Sequence, residues 1–126
     1  MGLEEDHSPA EEPQVKFTAS DLRAAYAFLK RVAFHNDRRL PSARRALFVA
    51  KPLANHGYLG KEGDADCIWV NTKGTKSITQ MLHILAHEMV HLALVHQDVP
   101  NKYAHGTDFI EAARAIEIEM GWPKGS

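Results

Sequence analysis

At 126 residues the chain has room for one domain with a core of ordinary size, and not for two. Its 44% hydrophobic and 25% charged residues are the balance of a soluble globular protein; no uninterrupted apolar run reaches the ~18–20 residues of a membrane span, and no basic segment leads into an apolar one as a secretory signal would. One cysteine, Cys67, excludes an internal disulfide framework, a four-cysteine zinc ribbon and a CxxC redox pair, so the expectation is an intracellular protein that is neither secreted nor membrane-bound.

The formal net charge of −1 hides an asymmetry. Residues 1–15 hold five acids (Glu4, Glu5, Asp6, Glu11, Glu12), two prolines and no Lys or Arg. Such a segment buries too little apolar surface to offset its ordering entropy, so it reads as a disordered acidic tail ahead of one domain over 16–126. With those five set aside from the sixteen acids, fifteen bases face eleven acids in the body. The excess is concentrated between residues 30 and 51, where Lys30, Arg31, Arg38, Arg39, Arg44, Arg45 and Lys51 meet only Asp37.

A first helix is expected from about 19 to 36. Thr18 and Asp21 form a capping-box pattern, Leu22, Ala25, Tyr26, Leu29, Val32 and Ala33 recur at helical spacing, and Pro41 marks the exit. Three β-rich runs follow at about 46–50, 56–59 and 67–71, broken by Pro52, Gly57, Gly60, Gly63 and Gly74; the expectation is a three-stranded antiparallel meander. Ser77-x-x-Gln80 opens a second helix that continues to about 96 and is apolar around much of its girth, the pattern of a central, buried helix. A third runs from about 107 to Gly121, with Pro123 beyond it as a stop. The order is that of a small α+β domain.

The second helix carries His87-Glu88-Met89-Val90-His91. Histidines four apart stand one turn above each other, so both imidazoles can reach one metal ion. Glu88 is rotated off that axis by about 100°, where a carboxylate can act as a base without ligating the metal. Burying three such groups in an apolar helix is costly unless something satisfies them. A catalytic zinc takes a third protein ligand and keeps one position open. His105 is the first candidate, fourteen residues past His91, across a turn with Asp98, Pro100 and Asn101 and just ahead of the third helix. Glu111 and Glu117 compete for the place and would make a two-His, one-Glu site.

His87-Glu88-Met89-Val90-His91 followed by His105-Gly106-x-x-Phe109 resembles the SprT-like zinc metalloprotease domain, the family of bacterial SprT proteins and of the Spartan DNA–protein-crosslink protease. The resemblance covers about 17–122, with its specific signal in 77–109. It implies a small zincin-like fold, one Zn2+ per chain on His87, His91 and His105, and Glu88 as the catalytic base. It further implies hydrolysis of protein substrates, DNA-bound ones among them, in the cytoplasm or on the nucleoid. The alternative is a catalytically silent, zinc-stabilised adaptor that binds DNA or protein; a structural site has no use for an uncoordinated carboxylate at Glu88.

The basic stretch has two readings: a solvated helix face and loop, or a surface in which Arg38, Arg39, Arg44 and Arg45 contact phosphates. In the second, DNA is bound without sequence preference, single strands being favoured if Tyr58 or Trp69 is exposed to stack with bases. His83, one turn before His87, reads either as a residue lining the cleft or supporting the ligands, or as an ordinary core or surface residue, and His96 reads as a cation suited to a helix C-terminus. His7, His35 and His56 have no visible partners. Tyr103 reads as a packing residue, with oxyanion stabilisation as the other option, and Trp69 and Trp122 read as core anchors.

Overall fold

A computed structural model of the chain describes residues 15–97 and 105–125; the predicted acidic tail, apart from Val15, falls outside them. Helix α1 spans Ala19–Val32. Both halves of its capping box are closed: the Asp21 N–H donates to Thr18 Oγ1 (3.2 Å), and the Thr18 N–H donates to Asp21 Oδ2 (2.8 Å). Leu22, Tyr26 and Leu29 line its inner face with no exposed surface, each worth about 1.5–3 kcal/mol of burial. The helix stops four residues short of its expected end. His35 and Asn36 adopt left-handed backbone (φ 52° and 57°), which an α-helix of L-residues cannot continue. The loop that follows is fastened to α1 where the Tyr26 hydroxyl donates to the Pro41 carbonyl (2.5 Å), and burial holds that phenol protonated.

The three strands are β1 (Leu47–Lys51), β2 (Gly57–Glu62) and β3 (Ala65–Asn71). They form a sheet of order β1-β3-β2, with β1 parallel and β2 antiparallel to β3, so the expected antiparallel meander is corrected to a mixed sheet. Composition explains which strand takes the centre. β3 is buried at Asp66, Cys67, Ile68, Val70 and Asn71, the profile of a strand with partners on both sides. β1 runs into Pro52 and β2 carries Gly57 and Gly60, features suited to edges. β2 and β3 are joined by a two-residue turn whose first residue, Gly63, has φ 62°, a value L side chains disfavour.

Register then divides the side chains between two faces. Phe48, Leu59, Ile68 and Val70 share the face that meets the helices, and Phe48 packs edge-on against Tyr26 at 5.2 Å between ring centroids. Tyr58 and Trp69 pair on the opposite face, their rings 5.0 Å apart. Trp69 is therefore only half-buried on the outer surface, not a core anchor.

Helix α2 (Ile78–His96) lies against β2 and β3, with contacts to α1 and to α3 (Thr107–Met120). Ser77 caps it by accepting from the Gln80 N–H (3.0 Å), while the Gln80 side chain reaches back to the Lys76 N–H (2.7 Å). By length and composition alone α2 could cross a membrane, but Leu85, Met89, Val90 and Leu92 are spent on the core. At its far end the His96 Nε2–H donates to the buried Asp66 of β3 (2.8 Å), tying helix to sheet. α3 ends as predicted at Gly121, whose left-handed backbone (φ 71°) lets the Trp122 N–H return to the Glu117 carbonyl (2.8 Å).

Candidate metal centre

α2 carries His87 and His91 one turn apart, and the chain delivers His105 beside them immediately before Gly106, the N-cap of α3. The three Nε2 atoms form an equilateral triangle with sides of 3.2 Å. A tetrahedral ion with metal–nitrogen distances of ~2.0–2.1 Å keeps its ligand nitrogens ~3.3–3.4 Å apart, so the triangle already has the dimensions of such a site. Hydrogen bonding cannot account for it. Each Nε2 is either a donor or an acceptor, so three of them facing one another cannot be paired all round. A cation satisfies all three lone pairs together, and among the described residues these histidines form the one such cluster.

The triangle is braced from one side by a single ring. Phe109, in the first turn of α3, lies 4.8 Å from His87, 4.5 Å from His91 and 4.8 Å from His105 between ring centroids, and is itself nearly buried. Its part in the motif was visible only as a spacing: four residues beyond His105, across the helix start, the side chain returns to the same place. Its contact with all three imidazoles is a tertiary fact.

Burial, with neighbouring imidazoles, favours the neutral form of the two α2 histidines. Burial, then the neighbouring His87 and His105, bring His91 down to about 4, and burial and His105 lower His87. Neutral imidazole is the form that ligates a metal. Glu88 shows the opposite effect: 8% exposed, its carboxyl is pushed up to about 7 by burial. One residue on from His87, it faces β2 and not α3, beside Gly57. His87 borders two large clefts. One, of about 340 Å³, is lined by His56, Gly57, His83, Ile84, His87 and Glu88. The other, of about 350 Å³, runs along α3 past His105, Ile110 and Arg114 to Lys124.

Other predicted candidates are placed elsewhere. Glu111 is exposed on α3, Glu117 is buried and takes a contact from Arg114 (3.3 Å), and neither is part of the triangle. Tyr103 and the turn with Asp98, Pro100 and Asn101 lie outside the described residues. His83 lines the first cleft, with Trp122 against its ring at 3.8 Å between centroids; Trp122, partly buried, packs against the core and also flanks the site. His35 meets Glu119 (3.2 Å), and His56 lies in the first cleft.

The four arginines differ in how free they are. Arg39 forks onto Asp37 (2.6 Å from Nη2 to Oδ2) and donates to Gln97, and its guanidinium holds the Asp37 carboxyl below the usual range. Arg38 is exposed, and Arg44 and Arg45 border a surface cleft of about 250 Å³ with Ser42.

The model of the SprT-like family matches residues 3–124, nearly the whole chain, and the chain belongs to that family. No curated protein matches it closely enough to be counted a relative.

Proposed function

We propose that this SprT-like chain is a zinc-dependent metalloendopeptidase, in keeping with the metallopeptidase-related character of its family. The observation that carries the reading is the pairing of a 3.2 Å triangle of three imidazole nitrogens with a buried carboxylate that is not among the ligands. His87, His91 and His105 would hold the ion, and a set of three protein ligands is the number that catalytic zinc sites use. Zinc there supplies Lewis acidity toward the scissile carbonyl.

The chain's own residues do the remainder. Buried beside His87 but outside the ligand triangle, Glu88 suits general-base and then general-acid work: it takes a proton from the attacking water and returns it to the leaving amine. β2 is an edge strand against α2, so an extended substrate can add to it through main-chain hydrogen bonds, which favours breadth over sequence preference. The clefts on either side of His87 suit a polypeptide that crosses the site.

The partners follow as part of the same proposal. Protein substrates include DNA-bound ones, and Arg38, Arg44 and Arg45 contact phosphates without reading sequence. Tyr58, 56% exposed beside Trp69, gives single-stranded DNA a stacking surface. The test is zinc content by elemental analysis together with cleavage of casein and of a DNA-bound protein, for the wild type and Glu88→Gln. One zinc per chain in both, with hydrolysis down by at least ~10² in the variant, is expected. Zinc without cleavage of either substrate gives the adaptor reading, and a chain that binds no zinc ends both.

A further inference from the structure

β2 opens at Gly57, and register decides where that residue faces. Gly57 pairs with Val70, which is fully buried, so position 57 points at α2 and not at the outer surface. Glu88 comes to the same place from the helix. A Cβ built on Gly57 would lie 3.0 Å from Glu88 Oε2, 3.2 Å from its Cγ and 3.0 Å from Ile84 Cγ2. The left-handed glycines among the described residues are Gly63, Gly74, Gly121 and Gly125, so Gly57 is not needed for its backbone angles. What the position requires is room.

We infer that Gly57 is a positioning residue: its bare Cα is the wall against which the Glu88 carboxylate is seated in the cleft it shares with His87. The inference rests on Glu88 being the base of the proposed reaction. A methyl group at 57 meets two neighbours, and the one able to yield is the carboxylate, at the end of a flexible side chain. The triangle of imidazoles has its own support, since the His87 and His91 rings pack on Phe109 of α3. Gly57 therefore acts on the proton-transfer group and not on the metal ligands.

The experiment is a cycle of wild type, Gly57→Ala, Glu88→Gln and the double variant, read by zinc content and by hydrolysis of casein. All four should bind one zinc. Gly57→Ala should lower kcat by about 10- to 100-fold with KM little changed, as a misplaced catalytic group does. On the Glu88→Gln chain the same substitution should cost nothing further. An equal loss on both backgrounds overturns the inference.

Absence of turnover in the wild type would sink the peptidase reading and not the seat itself, which urea unfolding of the metal-free chains measures separately. There Gly57→Ala should lower the midpoint on the wild-type chain and lower it less on a Glu88→Ala chain, from which the carboxylate and Cγ are gone. If Gly57→Ala does not fold alone, recovery of folding in Gly57→Ala/Glu88→Ala is the expected result. Equal destabilisation, or failure to fold on both backgrounds, shows that Glu88 is not seated there.

Discussion

Nε2 of His105 lies 3.2 Å from Nε2 of His91, although the two are fourteen positions apart in the chain and His105 belongs to no helix. Two α2 imidazoles alone are a weak chelate; the third arrives because α3 packs on α2 and its N-cap, Gly106, directly follows His105. The site is thus a product of the α2–α3 contact as much as of the helical motif.

It follows that His105→Ala should weaken zinc binding by more than the ~10- to 100-fold that loss of an outer-shell partner costs. Glu111→Ala, on an exposed position outside the triangle, should leave affinity unchanged. Competition titration with a zinc chelator reads both, and the reverse order would move the third ligand to Glu111.

Phe109 gives a second test. The ring touches three imidazoles and no polar group replaces it. Phe109→Ala should cost about 3–5 kcal/mol of stability, as truncation of a buried aromatic does. Phe109→Leu keeps most of the volume and loses the flat support, so the fold should survive while zinc affinity falls by up to ~10²-fold. Undiminished affinity in the Leu variant would mean that the imidazoles are held by α2 and the His105 backbone alone.

Glu88 makes the metal-free protein pH-sensitive. In the unfolded chain its carboxyl ionises near ~4.3; in the folded, metal-free chain burial pushes it up to about 7. The folded state therefore keeps the proton longer. Its stability relative to a neutral residue is full below ~4.3 and is lost as pH rises through about 7, a penalty on the order of a few kcal/mol at pH 8. Glu88→Gln should accordingly raise the urea midpoint of the metal-free protein at pH 8 and change it little at pH 4. Equal midpoints at pH 8 would mean that the carboxylate is solvated.

For the basic stretch, salt dependence is the readout. Replacing Arg38, Arg44 and Arg45 with Ser should flatten the log–log salt slope of single-stranded DNA binding by up to ~2, since each neutralised phosphate of a single strand contributes about 0.7. Adding Arg39→Ser should change it less, because that guanidinium is engaged by Asp37 and Gln97. Fluorescence anisotropy with a labelled oligonucleotide at several salt concentrations measures this. No binding at ~20 mM salt would return the stretch to a solvated surface.

Local signals carried most of the helices and the ligand set. The Thr18–Asp21 box, the Ser77 cap and the Gly121 stop are contacts between near neighbours, and they mark helix ends because the orphaned backbone groups must be met nearby. His87, Glu88 and His91 were readable for the same reason: a helix turns every residue through a known angle. The end of α1 was missed, because nothing in its apolar spacing shows that His35 and Asn36 turn left-handed.

Strand pairing, and everything that depends on it, belongs to the tertiary structure. Three short β-rich runs leave the order open, and β3 takes the centre only because a strand buried along most of its length needs neighbours on both sides. That order puts Gly57 opposite Val70 and so against Glu88, sends Trp69 to the outer face with Tyr58, and brings Asp66 under His96. Spacing along one helix made His87, Glu88 and His91 legible as neighbours, since a helix is local geometry, while the place of His105 depended on how α3 packs on α2. Only packing decided which way each of them faces, because the side-chain period of two makes every orientation on a strand depend on its register.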